Sequence, residues 1–428
     1  GVKKVASGRY LPGWVVADEH RIVDGDGNNK QFNGCTVWSF SVMTTEADVD
    51  LYVANRAAKG VNAIIFNAIE HNFSDTTPAW KNQAGDLPFS SDISANNPDF
   101  TDPNESYWTH IDYIIDACET AGITCFLFPW YVGINLGSEG WGAVIKVNGS
   151  TRMATYGTWI ANRYKDKTNI VWCGGGDNGP VNGVNITTEH NAGMNAIKAA
   201  DTNHLATAHG SRGESALDVY NESWLDFNSS YSNTTTTVTV VRVDYQLVTP
   251  LPTFLIESRY VNMGGLTDIQ GMRIMYQAIL SGAVGHFLGS SPLWELDTGW
   301  DTNLDADGAQ YLTYVARLQA VRDLPSLTPD HSDVFVTAGK GTEGADYSPV
   351  VASSSILVAL CNQGDTLTVD FSQFTGSMTA RWYNPSTGTT QTDGSSPYAN
   401  TGSSAMSTPD SNDWIMLLDL ASLGLGAP

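Results

Sequence analysis

Ile170-Val171-Trp172-Cys173-Gly174-Gly175-Gly176-Asp177-Asn178 is the stretch on which the fold turns. An apolar run bounded by glycine reads as a buried strand, the glycines let the backbone turn sharply, and an acid follows at the C-terminal end. The same grammar recurs on both sides. Upstream lie Gly34–Phe40, Val61–Asn67 and Ile123–Pro129; downstream lie Leu205–Ala208, Trp224–Asn228, Thr253–Glu257 and Val284–Leu288. Helical periodicity separates several of these runs. Thr45 caps a helix whose third residue is Asp48; Tyr107, Ile111, Ile114, Ile115 and Cys118 share one helical face before Gly122; Met272, Met275, Tyr276 and Ile279 share another. Eight strand–helix repeats in about 300 residues predict an α/β fold of the (β/α)8 TIM-barrel type over residues 31–328. Thr234–Leu247 conflicts with this scheme, because TTTTVTVVRVDYQL favours strand where the repeat needs a helix; the repeat is expected to prevail.

The flanks differ from the barrel. Residues 1–30 read as a short β lead-in turning at Asp24-Gly25-Asp26-Gly27. The spacing of Asp24, Asp26 and Asn28 resembles a calcium loop, but Cys35 stands where that loop requires glutamate, which leaves a β-turn. Residues 331–428 carry Lys340 and Arg381 as their basic residues and form short alternating runs between turn signals. An antiparallel β-sandwich is expected there, serving as a cap on the barrel rather than as a carbohydrate-binding or spacer module.

Across 428 residues, 42% are hydrophobic and 10% aromatic, enough for a large core. With 45 Asp+Glu against 22 Lys+Arg the formal charge is −23, which repels nucleic acid and anionic membranes, so neither is expected as a partner. The 5 cysteines are odd in number and lack CxxC spacing, which supports neither a disulfide framework nor a zinc site. No apolar stretch approaches ~20 residues, so no membrane span is expected. Gly-Val-Lys-Lys at the start lacks an apolar core, so no signal peptide is expected in the chain as written. The 13 Trp and 17 Tyr exceed what packing needs and introduce carbohydrate as a ligand, since aromatic rings stack on the apolar faces of sugars.

A TIM barrel places its active site at the C-terminal ends of the strands. There, Asp177 follows strand four and Glu257 ends strand seven. An acid closing an apolar strand is costly unless it faces a polar site. Two carboxylates facing each other across the mouth suit glycosidic bond cleavage, one protonating the leaving oxygen and the other attacking or stabilising the anomeric carbon. Their bland alternatives are a turn-capping aspartate and an ion pair of Glu257 with Arg259. Further rim candidates are Trp38, Trp130 and Trp294 as sugar platforms, with Asn67, His71, Asn178, His209, Asn228, Arg259, Tyr260 and His286 as polar contacts; each has core packing as its alternative. The histidines show no metal-binding spacing, and the glycine run lacks the residues of a phosphate loop. No metal or organic cofactor is expected.

At these residues the sequence resembles the apiosidase-like enzymes of glycoside hydrolase family 140. The matching stretches are Phe32-Asn33-Gly34-Cys35-Thr36-Val37-Trp38, Asn169–Trp172 running into Gly175-Gly176-Asp177, Trp224–Asn228, Glu257-Ser258-Arg259-Tyr260, and Gly282–His286 through Trp294. Arg381–Gly388 resembles the collagen-binding type of sandwich often fused to such barrels. The resemblance implies that Asp177 is the acid/base and Glu257 the nucleophile, with Arg259 or Asn178 orienting it. Two departures, Cys35 in place of an aspartate and Val261 in place of a glutamate, are expected near the substrate end and imply a sugar other than apiose. The expectation is an extracellular or secreted glycoside hydrolase, periplasmic and virion-borne locations included, probed against polysaccharides or oligosaccharides. Its rival is a non-catalytic carbohydrate-binding adhesin on the same barrel.

Overall fold

The computed structural model describes residues 15–18, 20–74, 80–134, 139–178 and 185–428. Eight parallel strands form the central sheet: β1 Phe32–Thr36, β2 Ala63–Asn67, β3 Thr124–Phe128, β4 Ile170–Gly175, β5 Ala206–His209, β6 Asn228–Tyr231, β7 Thr253–Glu257 and β8 Ala283–Leu288. Ladders run β6-β7-β8-β1-β2-β3-β4-β5. The remaining seam, β5 to β6, is closed by backbone and side-chain bonds together: Asp226 N–H donates to the Ala206 carbonyl at 2.9 Å, Thr207 Oγ1 donates to the Phe227 carbonyl at 3.0 Å, and Ser229 Oγ donates to the Ala208 carbonyl. Each strand is followed by a helix: α1 Glu46–Ala58, α2 Glu105–Thr120, α3 Gly142–Tyr164, α4 Thr187–Ala200, α5 Ala216–Val219, α6 Thr237–Tyr245, α7 Asp268–Ile279 and α8 Asp307–Val321.

The expected barrel is therefore present, and α6 forms despite its β-branched residues. Those residues cost only about 0.7 kcal/mol each relative to alanine. Thr237, Val238, Val241 and Asp244 fall on one buried helical face, and docking that face onto the sheet outweighs the local preference. The capping box on α1 is realised as read, with Thr45 and Asp48 each accepting the other's backbone N–H.

Inside the barrel, Phe32, Phe126, Phe254 and Phe287 fill the floor with ring centroids 4.9–5.8 Å apart. Gly34 and Gly285 make room for them, since a methyl group at either position would come within 2.6 Å of a phenylalanine ring or side chain. This plug seals the barrel from below, so a ligand can enter only above it.

The lead-in pairs Val15–Asp18 with Arg21–Val23 and sends Ile22 into the barrel core; its residues 1–14 lie outside the described residues. The Asp24 turn forms, with its carboxylate accepting N–H from Asp26 and Asn28 at 3.0 and 2.9 Å. After the barrel, six antiparallel strands pack against three others around their own core. Buried arginines join the two parts. Arg273 of α7 makes a two-pronged pair with Asp413 at 2.8 and 2.9 Å, Arg322 binds Asp419, and the Tyr383 hydroxyl donates to the Tyr314 carbonyl at 2.9 Å. In the sandwich Trp382 and Trp414 are buried and donate their indole N–H groups to Asp393 and Asp410. All five cysteines are buried and unbridged. Among the described residues no helix is long and apolar enough to cross a membrane.

Candidate functional site

Gly175, Gly176 and Asp177 leave β4 with φ of 79°, 119° and 44°, three successive left-handed residues. The first two must be glycine on space as well as conformation. A Cβ at Gly175 would lie 2.3 Å from the His209 carbonyl oxygen, and one at Gly176 would lie 2.4 Å from the Tyr131 ring. Asp177 adopts this conformation despite its side chain, a strain held by its surroundings. Gly175 N–H donates to His190 Nε2 at 2.8 Å, Gly176 N–H to the His209 carbonyl at 3.0 Å, and Asp177 N–H to His209 Nδ1 at 3.1 Å.

That last bond assigns the tautomer of His209. Nδ1 accepts, so Nε2 carries the proton and donates to Glu257 Oε2 at 2.5 Å. One fully buried imidazole thus links the backbone of Asp177 to the carboxylate of Glu257. Burial lowers the pKa of His209, but the Glu257 hydrogen bond and charge, with the charge of Asp177, more than offset this and leave it above its ordinary value. The Asp177 N–H aimed at Nδ1 opposes double protonation. Burial, then the Glu257 charge, raises the Asp177 carboxyl to about 6. Asp177 is thus raised toward neutrality while Glu257 accepts the His209 N–H.

Both carboxylates face a cavity of about 360 Å³. Its walls are aromatic. Trp38 donates its indole N–H to the Tyr260 hydroxyl at 2.5 Å; Tyr131 packs on Trp38 and Phe73; Trp294 packs on Phe73 and Tyr260. Opposite them Tyr231 lies under Arg212, whose guanidinium carbon is 5.2 Å from the ring centroid. Such a site has ring faces for a sugar and two acids for its glycosidic bond.

Of the residues read from sequence, Trp38, Asp177, Glu257, Arg259, Tyr260 and Trp294 line the cavity, and His209 joins its two acids. Arg259 donates to the Gly264 carbonyl at 2.8 Å, and no ion pair to Glu257 is found among the described residues. Trp130 is not a platform. It is fully buried behind the sheet against Tyr156 and His190 and passes over Gly193. The chain leaves β3 at Phe128, and the turn that follows gives the inward position to Tyr131. Asn228 begins β6 rather than ending it, because that strand starts four residues later than read. It sits at the far end from the mouth, with Tyr231 at the rim. His71 packs against Trp141 and Trp80 outside the cavity, Asn178 donates to the Tyr220 hydroxyl, and Asn67 and His286 are wholly buried without lining the cavity.

Cys35 and Val261, expected near the substrate end, do not line the cavity. Cys35 alternates with the inward Phe32 and Gly34, so it points into the helix layer against Tyr52, and Val261 packs on Gly271. Neither position therefore argues for a different sugar. Sequence reasoning missed Phe73, Tyr131, Glu139, Arg212, Tyr231 and Met263. Correct placement of β6 would have found Tyr231; the others stand on loops, where no periodicity marks them. Among the described residues no three His, Cys, Asp or Glu side chains group as a metal site requires.

The family model of an apiosidase-like catalytic domain matches residues 17–325, and that of a putative collagen-binding domain of a collagenase matches residues 329–419. A glycoside hydrolase family 5 protein from Bacteroides vulgatus is similar over 97% of this chain and 96% of its own, with a TM-score of 0.81 at 19% identity. A structure described as a glycoside hydrolase gives 0.80 at 21% identity over 97% and 99%. A putative glycoside hydrolase from Bacteroides vulgatus gives 0.70 at 12% over 97% and 84%. These likenesses establish the fold. No curated protein matches this chain in sequence.

Proposed function

The chain belongs to the apiosidase-like catalytic family, and from that premise we propose that it is a retaining glycoside hydrolase acting on a polysaccharide or its side chains. The observation that carries the reading is the linkage of Asp177 and Glu257 through one imidazole at the mouth of a cavity walled by aromatic rings. Glu257 attacks the anomeric carbon while Asp177 gives its proton to the departing oxygen, so the glycosidic bond breaks as a glycosyl ester forms on Glu257. Asp177, now ionised, takes a proton from water, the water oxygen bonds to the anomeric carbon, and Glu257 leaves as carboxylate. His209 keeps Glu257 aimed through the Nε2–H donor. A retaining pair stands about 5–5.5 Å apart and an inverting pair about 6.5–9.5 Å, so the stereochemistry of the first product decides between the two.

We also read the chain as a lead-in over 1–30, the barrel over 31–328 and the sandwich over 331–428. The buried Arg273–Asp413 and Arg322–Asp419 pairs support a capping role for the sandwich, and its buried tryptophans leave it no such platform for sugars. An extracellular glycan is the expected substrate. A glycan hydrolysis screen comparing the parent with Asp177→Asn tests the reading, with NMR of the first anomer formed. Product from the parent alone, with retained configuration, supports it. An inverted first anomer removes the covalent step. Binding that survives loss of both acids, with no product from the parent on any glycan, returns the protein to a non-catalytic role.

A further inference from the structure

Outside the cavity, between β1 and the helix layer, a buried cation stands without a carboxylate. Arg56 of α1 is 1% exposed. Its Nη2 donates to the Leu304 carbonyl at 3.1 Å, and its guanidinium carbon lies 5.2 Å from the Tyr52 ring centroid. Its Nε has no partner. Among the described residues no carboxylate oxygen comes within 4.0 Å of it; Asp305 feels its charge but is paired with Lys59, whereas the equally buried Arg322 has Asp419 to itself and Arg381. Arginine cannot escape such a position by losing its proton, and a charge withdrawn from water without a counter-charge is strongly disfavoured.

Beside Arg56 lies a small cavity of about 10 Å³, lined also by Cys35, Thr36, Tyr52, Ser290, Leu288 and Leu293. That is room for about one water-sized sphere. Its polar wall offers donors: the guanidinium, the Ser290 hydroxyl, and one proton of the Cys35–Tyr52 pair, whose thiol and hydroxyl bond each other at 3.2 Å. Burial holds the thiol and the phenol above their ordinary pKa values, so neither brings a negative charge. We propose that this cavity binds a small monovalent anion, chloride being the common one, as the counter-ion of Arg56. Chloride is larger than water, so its entry requires the leucine walls and the thiol to give way. Ser290 and Leu293 belong to the segment that leads to Trp294, so the anion ties the β8 loop to β1. This inference stands apart from the reading of Asp177 and Glu257.

The full chain is unfolded thermally in sodium gluconate, whose anion is too large to enter, while chloride or bromide replaces gluconate at constant ionic strength. The expected result is a saturable rise in Tm of about 2 °C or more. Crystals grown in bromide show an anomalous peak against Arg56. Cys35→Asp, which supplies a fixed carboxylate, holds the chloride-saturated Tm without halide and no longer responds to it; Arg56→Met also loses the response. A Tm in the parent that does not move with halide, or a bromide map with no peak beside Arg56, overturns the proposal. The map of the parent decides alone if the Arg56 variant does not fold.

Discussion

His204 and His209 stand at opposite ends of β5, and each binds a carboxylate. His204 Nδ1 meets Asp201 Oδ2 at 2.6 Å and its Nε2 meets the Lys167 carbonyl at 2.9 Å; Asp201 also accepts from Trp172 Nε1 at 2.8 Å and from the Asn203 backbone at 2.9 Å. Every strong site of that pair is taken, and it lies at the closed end of the barrel. His209 makes nearly the same bond to Glu257, yet Glu257 keeps an edge on the cavity, and a second acid stands across from it. The bond itself does not separate structure from chemistry. What separates them is the end of the strand and the groups left unsaturated there.

The sharpest way to break this comparison is to remove an acid from each pair. Asp177→Asn or Glu257→Gln lowers kcat by about 10²–10⁴-fold or more with the fold intact, measured as product release beside circular dichroism. Asp201→Ala does the reverse. It lowers stability by about 3–5 kcal/mol in denaturant unfolding, because His204 and Trp172 lose a buried partner, while kcat per folded molecule stays near that of the parent. Loss of activity on Asp201→Ala at full folding would erase the distinction.

pH sharpens it next. The Asp177 carboxyl titrates at about 6 when folded against 3.8 when free, so its contribution to stability is complete below 3.8 and is lost as pH rises through about 6. Asp177→Asn therefore stabilises the chain by about 1–3 kcal/mol at pH ~8 and by little at pH ~3.5, read from urea melts. The kcat profile of the parent falls over the same upper limb, as the acid loses its proton. His209→Gln misplaces Glu257 and lowers kcat by about 10–100-fold with KM little changed, a split that a merely unfolded fraction would not produce. The smallest effect is that of Trp38→Phe. It deletes one hydrogen bond to Tyr260 and raises KM by about 2–10-fold in steady-state assays.

The same contrast explains what the sequence disclosed. The barrel was legible because strand and helix leave periodic signals, and even Thr234–Leu247 yielded to the repeat. Asp177 and Glu257 were legible because acids at apolar strand ends are conspicuous. Trp130 misled because alternation was carried past Phe128, where the strand had ended, and Asn228 misled because Trp224–Phe227 is apolar without being strand. Phe73 and Arg212 reach the cavity from loops, where side-chain direction follows from tertiary contacts that no local pattern encodes. The carboxylate partners of His204 and His209 are not legible in sequence, since partner identity is fixed only when β5, β7 and the segment before β5 are assembled.

The hydroxyl-stitched junction of β5 and β6 has a bearing on motion. Seven junctions of the cylinder hold by backbone ladders, and this one has no ladder, only the Asp226 and Phe227 N–H groups on the Ala206 carbonyl and the hydroxyls of Thr207 and Ser229. Transient parting of the sheet begins where the fewest main-chain bonds must break, which is directly below His209 and Tyr231. Amide protons flanking that line exchange with deuterium ahead of those in β1–β3, and the wall beneath the two acids is the one with freedom to breathe as cargo enters and leaves.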